Sequence, residues 1–256
     1  MPRTIGIVGY GAFGVLIHEL ISRFAPEVGV KVYSSRSKPD GKLFATLEEV
    51  AHCGAVVLTV PIHAFEKTLE RIVPLCGKDT IIVDVATVKE MTGTLLREHA
   101  PGKYIATHPM WGPESYKKRE GDIKGFRIVV TDIRLEAGQY DAMKVFLNIL
   151  GFDIVEMTGL EHDTHLAETL FLTHFIGQVI SDAKFDRTKI DTVSFGYLMD
   201  AVESVRHDRA LFQDVFRYVP HCKAVLKRFG LSVEHVLNFL EEKDIAALAK
   251  SSRIDA

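Results

Sequence analysis

Hydrophobic and polar residues follow two patterns along the first 158 residues. Short continuous apolar runs are typical of buried strands, and apolar residues every three or four positions are typical of amphipathic helices. Helical spacing follows most of the runs, which favours a doubly wound, mainly parallel sheet. Such sheets bind ligands beyond the carboxyl ends of their strands. The predicted strands are Thr4–Val8, Val28–Tyr33, Ala55–Val60, Thr80–Val85, Tyr104–Thr107, Arg127–Thr131 and Asp153–Met157.

After about Gly159 only the helical spacing remains. It predicts helices at Glu161–Phe185, Thr192–His207, Ala210–Tyr218, Cys222–Phe229 and Ser232–Lys250. Gly230 is expected to end one helix and Ser232 to cap the next. The prediction is therefore an α/β protein, with an N-terminal Rossmann-type domain (residues 1–158) followed by an all-helical C-terminal domain (residues 159–256). The many apolar positions in these helices also predict a homodimer.

The first predicted strand leads directly into Gly9-Tyr10-Gly11-Ala12-Phe13-Gly14, and a predicted helix follows. This context distinguishes a dinucleotide site from a purely structural glycine turn. The glycines allow a tight turn and let a pyrophosphate approach backbone N–H groups at the start of the helix. The predicted cofactor contacts in this stretch are Gly9, Gly11, Ala12, Phe13 and Gly14.

The second predicted strand ends in Ser34-Ser35-Arg36-Ser37. An NAD site normally has Asp or Glu near this point, where the acid binds the ribose 2′-hydroxyl. Hydroxyls and a guanidinium suit a 2′-phosphate instead, so NADP is the predicted cofactor, with Ser34, Ser35, Arg36 and Ser37 as its contacts. A solvated polar loop is the alternative, and Asp40 lies nearby in a predicted Asp-Gly turn.

Further polar residues are expected at the same edge of the sheet. Thr59 and Val60 end the third predicted strand, Thr87 follows the fourth, and His108 follows the fifth. An imidazole held between a strand end and a stiff, proline-containing turn is what proton abstraction from a bound substrate requires. A histidine at a strand end is also common as a hydrogen-bonded structural residue, so position alone leaves the role of His108 open.

Composition narrows the classes of partner. The 256 residues carry a formal net charge of -3, with 47% hydrophobic and 25% charged residues, so nothing favours nucleic acid or an anionic membrane as a partner. No apolar run is long enough to cross a membrane, and the N-terminus does not resemble a signal peptide. The three cysteines lack the spacing of a zinc site or disulfide framework. A cytoplasmic protein with a small-molecule substrate is expected.

One helix contains His162 and His165, which at this spacing can share a face and bind a metal. No second group of ligands has a recognisable spacing, and hydride transfer needs no metal. We therefore predict no metal site, and a polar helix face bordering the cleft instead.

Taken in order, four stretches make the chain resemble the prephenate/arogenate dehydrogenases of tyrosine biosynthesis, most closely the NADP-dependent arogenate dehydrogenases. They are Gly9–Gly14, Asp84–Lys89, Thr107–Ser115 and Glu161–Asp163. The resemblance spans nearly the whole chain, and Ser34–Ser37 is similar to the family's 2′-phosphate turn. It implies NADP-dependent oxidative decarboxylation of arogenate to tyrosine, or of prephenate to 4-hydroxyphenylpyruvate.

The resemblance also implies individual roles. His108 would be the catalytic histidine, accepting the hydroxyl proton as hydride leaves ring carbon C4. Thr87 would orient His108 and the substrate, and Thr59 would line the nicotinamide. Trp111 stands where the family more often has Phe. The implied substrate contacts are Thr87, His108, Trp111, Glu114, Ser115 and His174.

One departure from the family bears on the substrate. Prephenate-specific members carry an arginine that binds the side-chain carboxylate, and a gapless match puts Glu203 there. Glu203 suits the α-ammonium of arogenate, although it is equally compatible with a solvated helix surface; Arg206 and Arg209 lie close in sequence. Two other functions stay open: an NADP-linked imine or hydroxy-acid reductase, and a non-catalytic NADP-binding sensor.

Overall fold

The computed structural model describes residues 3–241. Seven strands form one sheet: β1 (Thr4–Val8), β2 (Gly29–Tyr33), β3 (Ala55–Leu58), β4 (Ile81–Asp84), β5 (Lys103–Pro109), β6 (Arg127–Arg134) and β7 (Asp153–Glu156). Their order is β2-β1-β3-β4-β5-β6-β7, and every neighbouring pair is parallel except β5 and β6. The predicted mainly parallel α/β fold is confirmed.

Six helices connect the strands: α1 (Ala12–Phe24), α2 (Leu47–Ala51), α3 (Phe65–Ile72), α4 (Glu90–His99), α5 (Pro113–Lys118) and α6 (Gln139–Leu150). One hydrophobic cluster joins the central strands to α2, α3 and α4, and another joins the sheet to α1, α5 and α6. β3 is buried at every residue because it lies between β1 and β4 under these helices, which explains its unbroken Ala-Val-Val-Leu sequence.

The remaining described residues are helical: α7 (Gly159–Leu166), α8 (Leu172–Asp182), α9 (Val193–Val205), α10 (Arg209–Tyr218) and α11 (His221–Glu241). A π-helical turn at Ala167–Phe171 joins α7 to α8, so the single long helix predicted here is nearly continuous. The predicted Rossmann-type sheet followed by helices is thus confirmed as the fold class.

The predicted break between the last two helices is wrong. α11 continues through Gly230, which has no positive φ, and the Ser232 hydroxyl donates to the Arg228 carbonyl at 3.0 Å. That bond to the preceding turn replaces the predicted cap, and it is available to any serine inside a helix. The last part of the predicted helix, beyond residue 241, lies outside the described residues.

The helical region packs directly onto the carboxyl edge of the sheet. Ile62, after β3, and Val88, after β4, share a buried cluster with Phe171 and Val215 from the helices. Because this cluster joins the two predicted domains, the boundary at residue 158 stays a prediction. Within residues 3–241, no helix has both the length and the apolarity needed to cross a membrane.

Candidate active site

The glycine turn between β1 and α1 is tight and open on one side. Gly9 has a φ of 100°, and a Cβ there would lie 2.6 Å from the Thr59 carbonyl oxygen. By contrast, nothing lies within 4 Å of the position a Cβ would take on Gly11. Gly11 precedes the first turn of α1 and provides no side-chain cap. The open approach to the helix N-terminus fits the pyrophosphate of a dinucleotide.

Thr59, predicted to contact the cofactor, also shapes this turn. Its hydroxyl donates toward the carbonyl oxygens of Gly9, at 2.8 Å, and Val8, at 3.1 Å. A Cβ on Gly14 would clash with the Gly9 carbonyl oxygen and lie 2.9 Å from the same hydroxyl oxygen, so glycine there keeps α1 close to both Gly9 and Thr59. Val60, the next predicted contact, is half-buried against the central hydrophobic cluster.

The turn after β2 leaves its polar side chains available. The Ser34 hydroxyl accepts the N–H of Arg36 at 3.2 Å, which closes the turn. The Asp40 carboxylate accepts backbone N–H groups of its own loop at 2.8 and 2.9 Å, and these bonds lower the pKa of Asp40. The Asp40 carboxylate is therefore already hydrogen-bonded within its own loop. The exposed side chains of the turn are Ser35, Arg36 and Ser37.

His108 lies near the end of β5 and is 5% exposed. β3 and β4 separate this strand from β1, so His108 lies roughly 14 Å across the sheet from the glycine turn at usual strand spacing. Burial lowers the pKa of His108 well below its ordinary value, and the positive charge of nearby Lys89 lowers it further. The imidazole is therefore neutral around neutral pH.

A chain of hydrogen bonds begins at His108 and passes into α7. Nδ1 of His108 lies 2.9 Å from Nε2 of His162, and Nδ1 of His162 lies 2.7 Å from Oδ1 of Asp163. The Asp163 carboxylate also accepts the backbone N–H groups of Lys89 and Glu90, each at 2.9 Å. The side chains of His108, His162 and Asp163 are all buried. The bonds thus join β5, the helical region and the start of α4.

Lys89 supports this arrangement through its own hydrogen bonds. Its fully buried ammonium donates to the Asp84 carboxylate and, at 2.6 Å, to the Thr107 carbonyl oxygen. Burial lowers the pKa of Lys89, and Asp84 opposes that shift. The Thr107 hydroxyl donates to the Asp84 carbonyl at 2.7 Å, which ties β4 to β5. Together these bonds fix the backbone that presents His108.

Thr87, predicted to orient His108, is half-buried between β4 and α4. In the part of the chain that the structure describes, its hydroxyl makes no hydrogen bond, and His108 is paired with His162. A role for Thr87 beside a bound substrate stays a prediction.

The turn after His108 is held by packing. Trp111 stacks between Phe126 and Phe152, with ring centroids 5.6 Å from each, and is 8% exposed. Trp111 therefore anchors the turn to the core, and the substrate contact implied for it stays a prediction. Ser115 is also occupied locally, because its hydroxyl accepts the Gly112 N–H at 2.8 Å. Glu114 is exposed.

Two predicted substrate contacts lie in the helical region, in different settings. His174 is buried and stacks on Phe212, and its Nδ1 has no hydrogen-bond partner among residues 3–241. Burial lowers the pKa of His174, partly opposed by Asp208. Glu203 is exposed and accepts from Nε of Arg187 at 2.9 Å, with no described bond to the His108 group.

The contact of His162 with His108, and of Asp163 with His162, was not predictable from the pattern of residues along the chain. The available signal is that two polar residues lie side by side in the first turns of a helix that follows the last strand, in a stretch shared with the family. The same residues also fit a metal site or a polar helix face, and the pattern alone favours the polar face. Among residues 3–241, no three His, Cys, Asp or Glu side chains are grouped as metal ligands.

Comparison with known proteins identifies relatives of the whole chain. Residues 42–127 match the model "Prephenate dehydrogenase, nucleotide-binding domain". "Arogenate dehydrogenase 1, chloroplastic" of Arabidopsis thaliana is 30% identical over 97% of this chain and 41% of its own length. "Arogenate dehydrogenase 2, chloroplastic" of the same plant is 29% identical over 91% of this chain and 68% of its own length. The chain thus spans less than half of the first relative.

Among solved structures, prephenate dehydrogenase from A. aeolicus in complex with hydroxyphenyl propionate and NAD+ has the same fold. The TM-score is 0.74 at 16% identity, over 97% of this chain and 95% of the other. At that identity the likeness concerns the fold. The family model and the plant relatives support membership of the prephenate/arogenate dehydrogenase family, and the solved structure supports the fold.

Proposed function

We propose that the protein is an NADP-dependent dehydrogenase that oxidatively decarboxylates arogenate or prephenate. One observation carries the proposal: a buried, neutral histidine lies at the carboxyl edge of the same sheet whose first turn is open to a dinucleotide pyrophosphate. Membership of the family supports the substrate class, and the names of the two plant relatives specify arogenate for those proteins.

His108 performs the proton chemistry in this proposal. Both substrates are cyclohexadienols with a hydroxyl on ring carbon C4 and a carboxylate on C1. The oxidised nicotinamide, when bound, supplies the hydride acceptor. His108 accepts the hydroxyl proton as the C4 carbonyl forms. The electron pair of the C1–carboxylate bond then passes into the ring, carbon dioxide leaves, and His108 returns the proton to the oxygen of the new phenol. No net proton is consumed or released.

The NADP part of the proposal depends on Ser34–Ser37. The turn after β2 offers an exposed guanidinium and hydroxyls, and the nearest carboxylate, Asp40, is bonded to its own loop. This arrangement favours a 2′-phosphate over a bare 2′-hydroxyl. The A. aeolicus prephenate dehydrogenase is described with NAD+, so both cofactors belong in the test.

The choice between the two dienols depends on the helical region. Arg187 neutralises Glu203, so Glu203 is a weaker ligand for the ammonium of arogenate than its position in the sequence suggests. Arg206 has a buried Nε without a partner in residues 3–241, and its guanidinium is a candidate ligand for a substrate carboxylate. Both substrates carry such a group, so Arg206 alone does not discriminate.

The direct experiment measures initial rates with both substrates and both cofactors on purified protein. The proposal expects NADP reduction, with release of carbon dioxide, on arogenate, on prephenate or on both. Faster turnover of arogenate would support a discriminating role for Glu203, and faster turnover of prephenate would assign discrimination to an arginine. No turnover in any of the four combinations would overturn the proposal.

We also propose that the protein is a homodimer. Large apolar side chains are exposed on the helical region, including Ile190, Val193 and Tyr197 near the start of α9 and Leu237 on α11, each more than half exposed. A monomer seldom leaves so many large apolar groups in water. Sedimentation as a monomer at micromolar concentration would contradict the dimer.

A further inference from the structure

We infer that His162 and Asp163 are positioning residues that hold His108 as its Nδ1–H tautomer, so that Nε2 is the nitrogen that receives the substrate proton. The inference rests on the proposed function for the identity of the reaction. The hydrogen-bonded chain itself is independent of that proposal, because it follows from which atoms donate and which accept along three buried side chains.

Asp163 determines which atoms donate and which accept along the three hydrogen-bonded side chains. Its Oδ1 accepts the N–H of Lys89 and its Oδ2 accepts the N–H of Glu90, both at 2.9 Å. These N–H groups belong to the start of α4, where the backbone favours a negative charge. The buried ammonium of Lys89 adds a further positive group nearby. Both carboxylate oxygens of Asp163 therefore act as hydrogen-bond acceptors.

The contact with Asp163 fixes which nitrogen of His162 carries the hydrogen. Since Asp163 only accepts, the 2.7 Å contact requires that Nδ1 of His162 carry the hydrogen. In neutral His162, Nε2 then holds the lone pair and can only accept. Neutral His162 satisfies both ring nitrogens in this way, with Nδ1–H donating to Asp163 and Nε2 accepting from His108.

These donor and acceptor roles fix the tautomer of His108. Its Nδ1 lies 2.9 Å from the accepting Nε2 of His162, so Nδ1 of His108 must donate, and Nε2 keeps the lone pair. The opposite tautomer would bring two lone pairs together in a buried site and forfeit the bond. After proton transfer from the substrate hydroxyl to Nε2, Nδ1–H still donates to His162, and the Asp163 carboxylate stabilises the imidazolium. Protonated His108 can then return the proton to the same oxygen.

α7 provides a matched pair of histidines for the test. His162 is buried against His108, whereas His165, one turn later, is exposed. His162→Leu removes the acceptor. His162→Gln retains a carbonyl oxygen that can reach the position of Nε2. His165→Leu makes the same change outside the chain. For packing alone, buried leucine is better tolerated than buried glutamine, so activity that ranks Gln above Leu identifies hydrogen bonding as the cause.

Two readouts decide the inference. In kinetics, we expect kcat to fall by about 100-fold or more in His162→Leu and by less than about 10-fold in His162→Gln, with the KM for the dinucleotide unchanged. His165→Leu should match the wild type. In long-range ¹H–¹⁵N spectra of histidine-labelled protein, the ring signal lost in His108→Asn should show the Nδ1–H tautomer.

Either of two results would overturn the inference: a wild-type His108 with hydrogen on Nε2, or a His162→Leu protein as active as wild type. If His162→Leu does not fold, the wild-type spectrum and the Gln variant still decide. Absence of turnover by the wild type would defeat the proposed function only, because the tautomer is read without substrate.

Discussion

The two ends of the candidate site are built differently. The glycine turn is almost local: Gly9, Gly11 and Gly14 lie within one turn, and the main distant contact is the Thr59 hydroxyl. The end that contains His108 brings His108, His162–Asp163 and Lys89 together from three separate parts of the chain. A local motif tolerates change elsewhere, whereas an assembled one depends on every part. Variants that affect one end and spare the other test this contrast.

The largest expected effect is that of His108→Asn. Asparagine removes the basic nitrogen, and we expect kcat to fall by about 1,000-fold or more, since positioned acid–base groups contribute about 100- to 10,000-fold. Dinucleotide affinity should be unchanged, because the glycine turn lies across the sheet. Stopped assays for kcat and fluorescence titration of NADPH measure the two quantities. A variant with near-normal kcat would remove His108 from the chemistry.

The second test compares two glycines within the cofactor end of the site. In Gly14→Ala, the new methyl meets the Thr59 hydroxyl and the Gly9 backbone, so we expect lower stability, by about 1–3 kcal/mol, and weaker cofactor binding. In Gly11→Ala, the methyl enters open space at a φ of -79° that alanine adopts readily, so stability should not fall. Its KM for the dinucleotide should nevertheless rise about tenfold, because the methyl lies where the pyrophosphate approaches.

Urea unfolding and cofactor KM values, measured on both variants, separate the two glycines. If Gly11→Ala bound the dinucleotide normally, the pyrophosphate would not follow the proposed path. If Gly14→Ala were fully stable, the close approach of α1 to Thr59 would be unimportant.

The same contrast explains what sequence could predict. The turn at Gly9–Gly14 between a strand and a helix was predictable because motif, strand and helix are contiguous, so local spacing contains the required information. The strands themselves were largely predictable because buried parallel strands have distinctive apolar runs. The pairing of His108 with His162 was not, because residues 54 positions apart meet only when α7 packs against α4 and β6. Likewise, nothing local indicated that Trp111 would stack in the core or that Arg187 would neutralise Glu203.

A smaller effect is expected from Arg36→Ala. The exposed guanidinium is proposed to contact the 2′-phosphate, and a charge-assisted bond contributes about 1.5–3 kcal/mol, so the KM for NADP should rise about 10- to 100-fold. The KM for NAD should not change. Steady-state rates with both cofactors give the ratio. Lys38→Ala, two residues further along the same exposed loop, is the matched control. Equal weakening of NADP and NAD would make Arg36 a general surface charge rather than a selector.

The smallest expected effect is on how the free energy of unfolding depends on pH, and it concerns the end that contains His108. Burial lowers the pKa of His108 and of His174 in the folded protein, so the unfolded chain binds more protons between those values and the ordinary histidine pKa near about 6.5. Stability is therefore complete above that value and is lost as pH falls below it, at up to about 1.4 kcal/mol per pH unit for each histidine. Urea unfolding from about pH 7.5 to about pH 5.5 measures the slope. In His108→Asn the slope should decrease, because one of the two neutral buried histidines is gone. An unchanged slope would mean that His108 already carries its proton in the folded protein, which a histidine hydrogen-bonded beside buried Lys89 should resist.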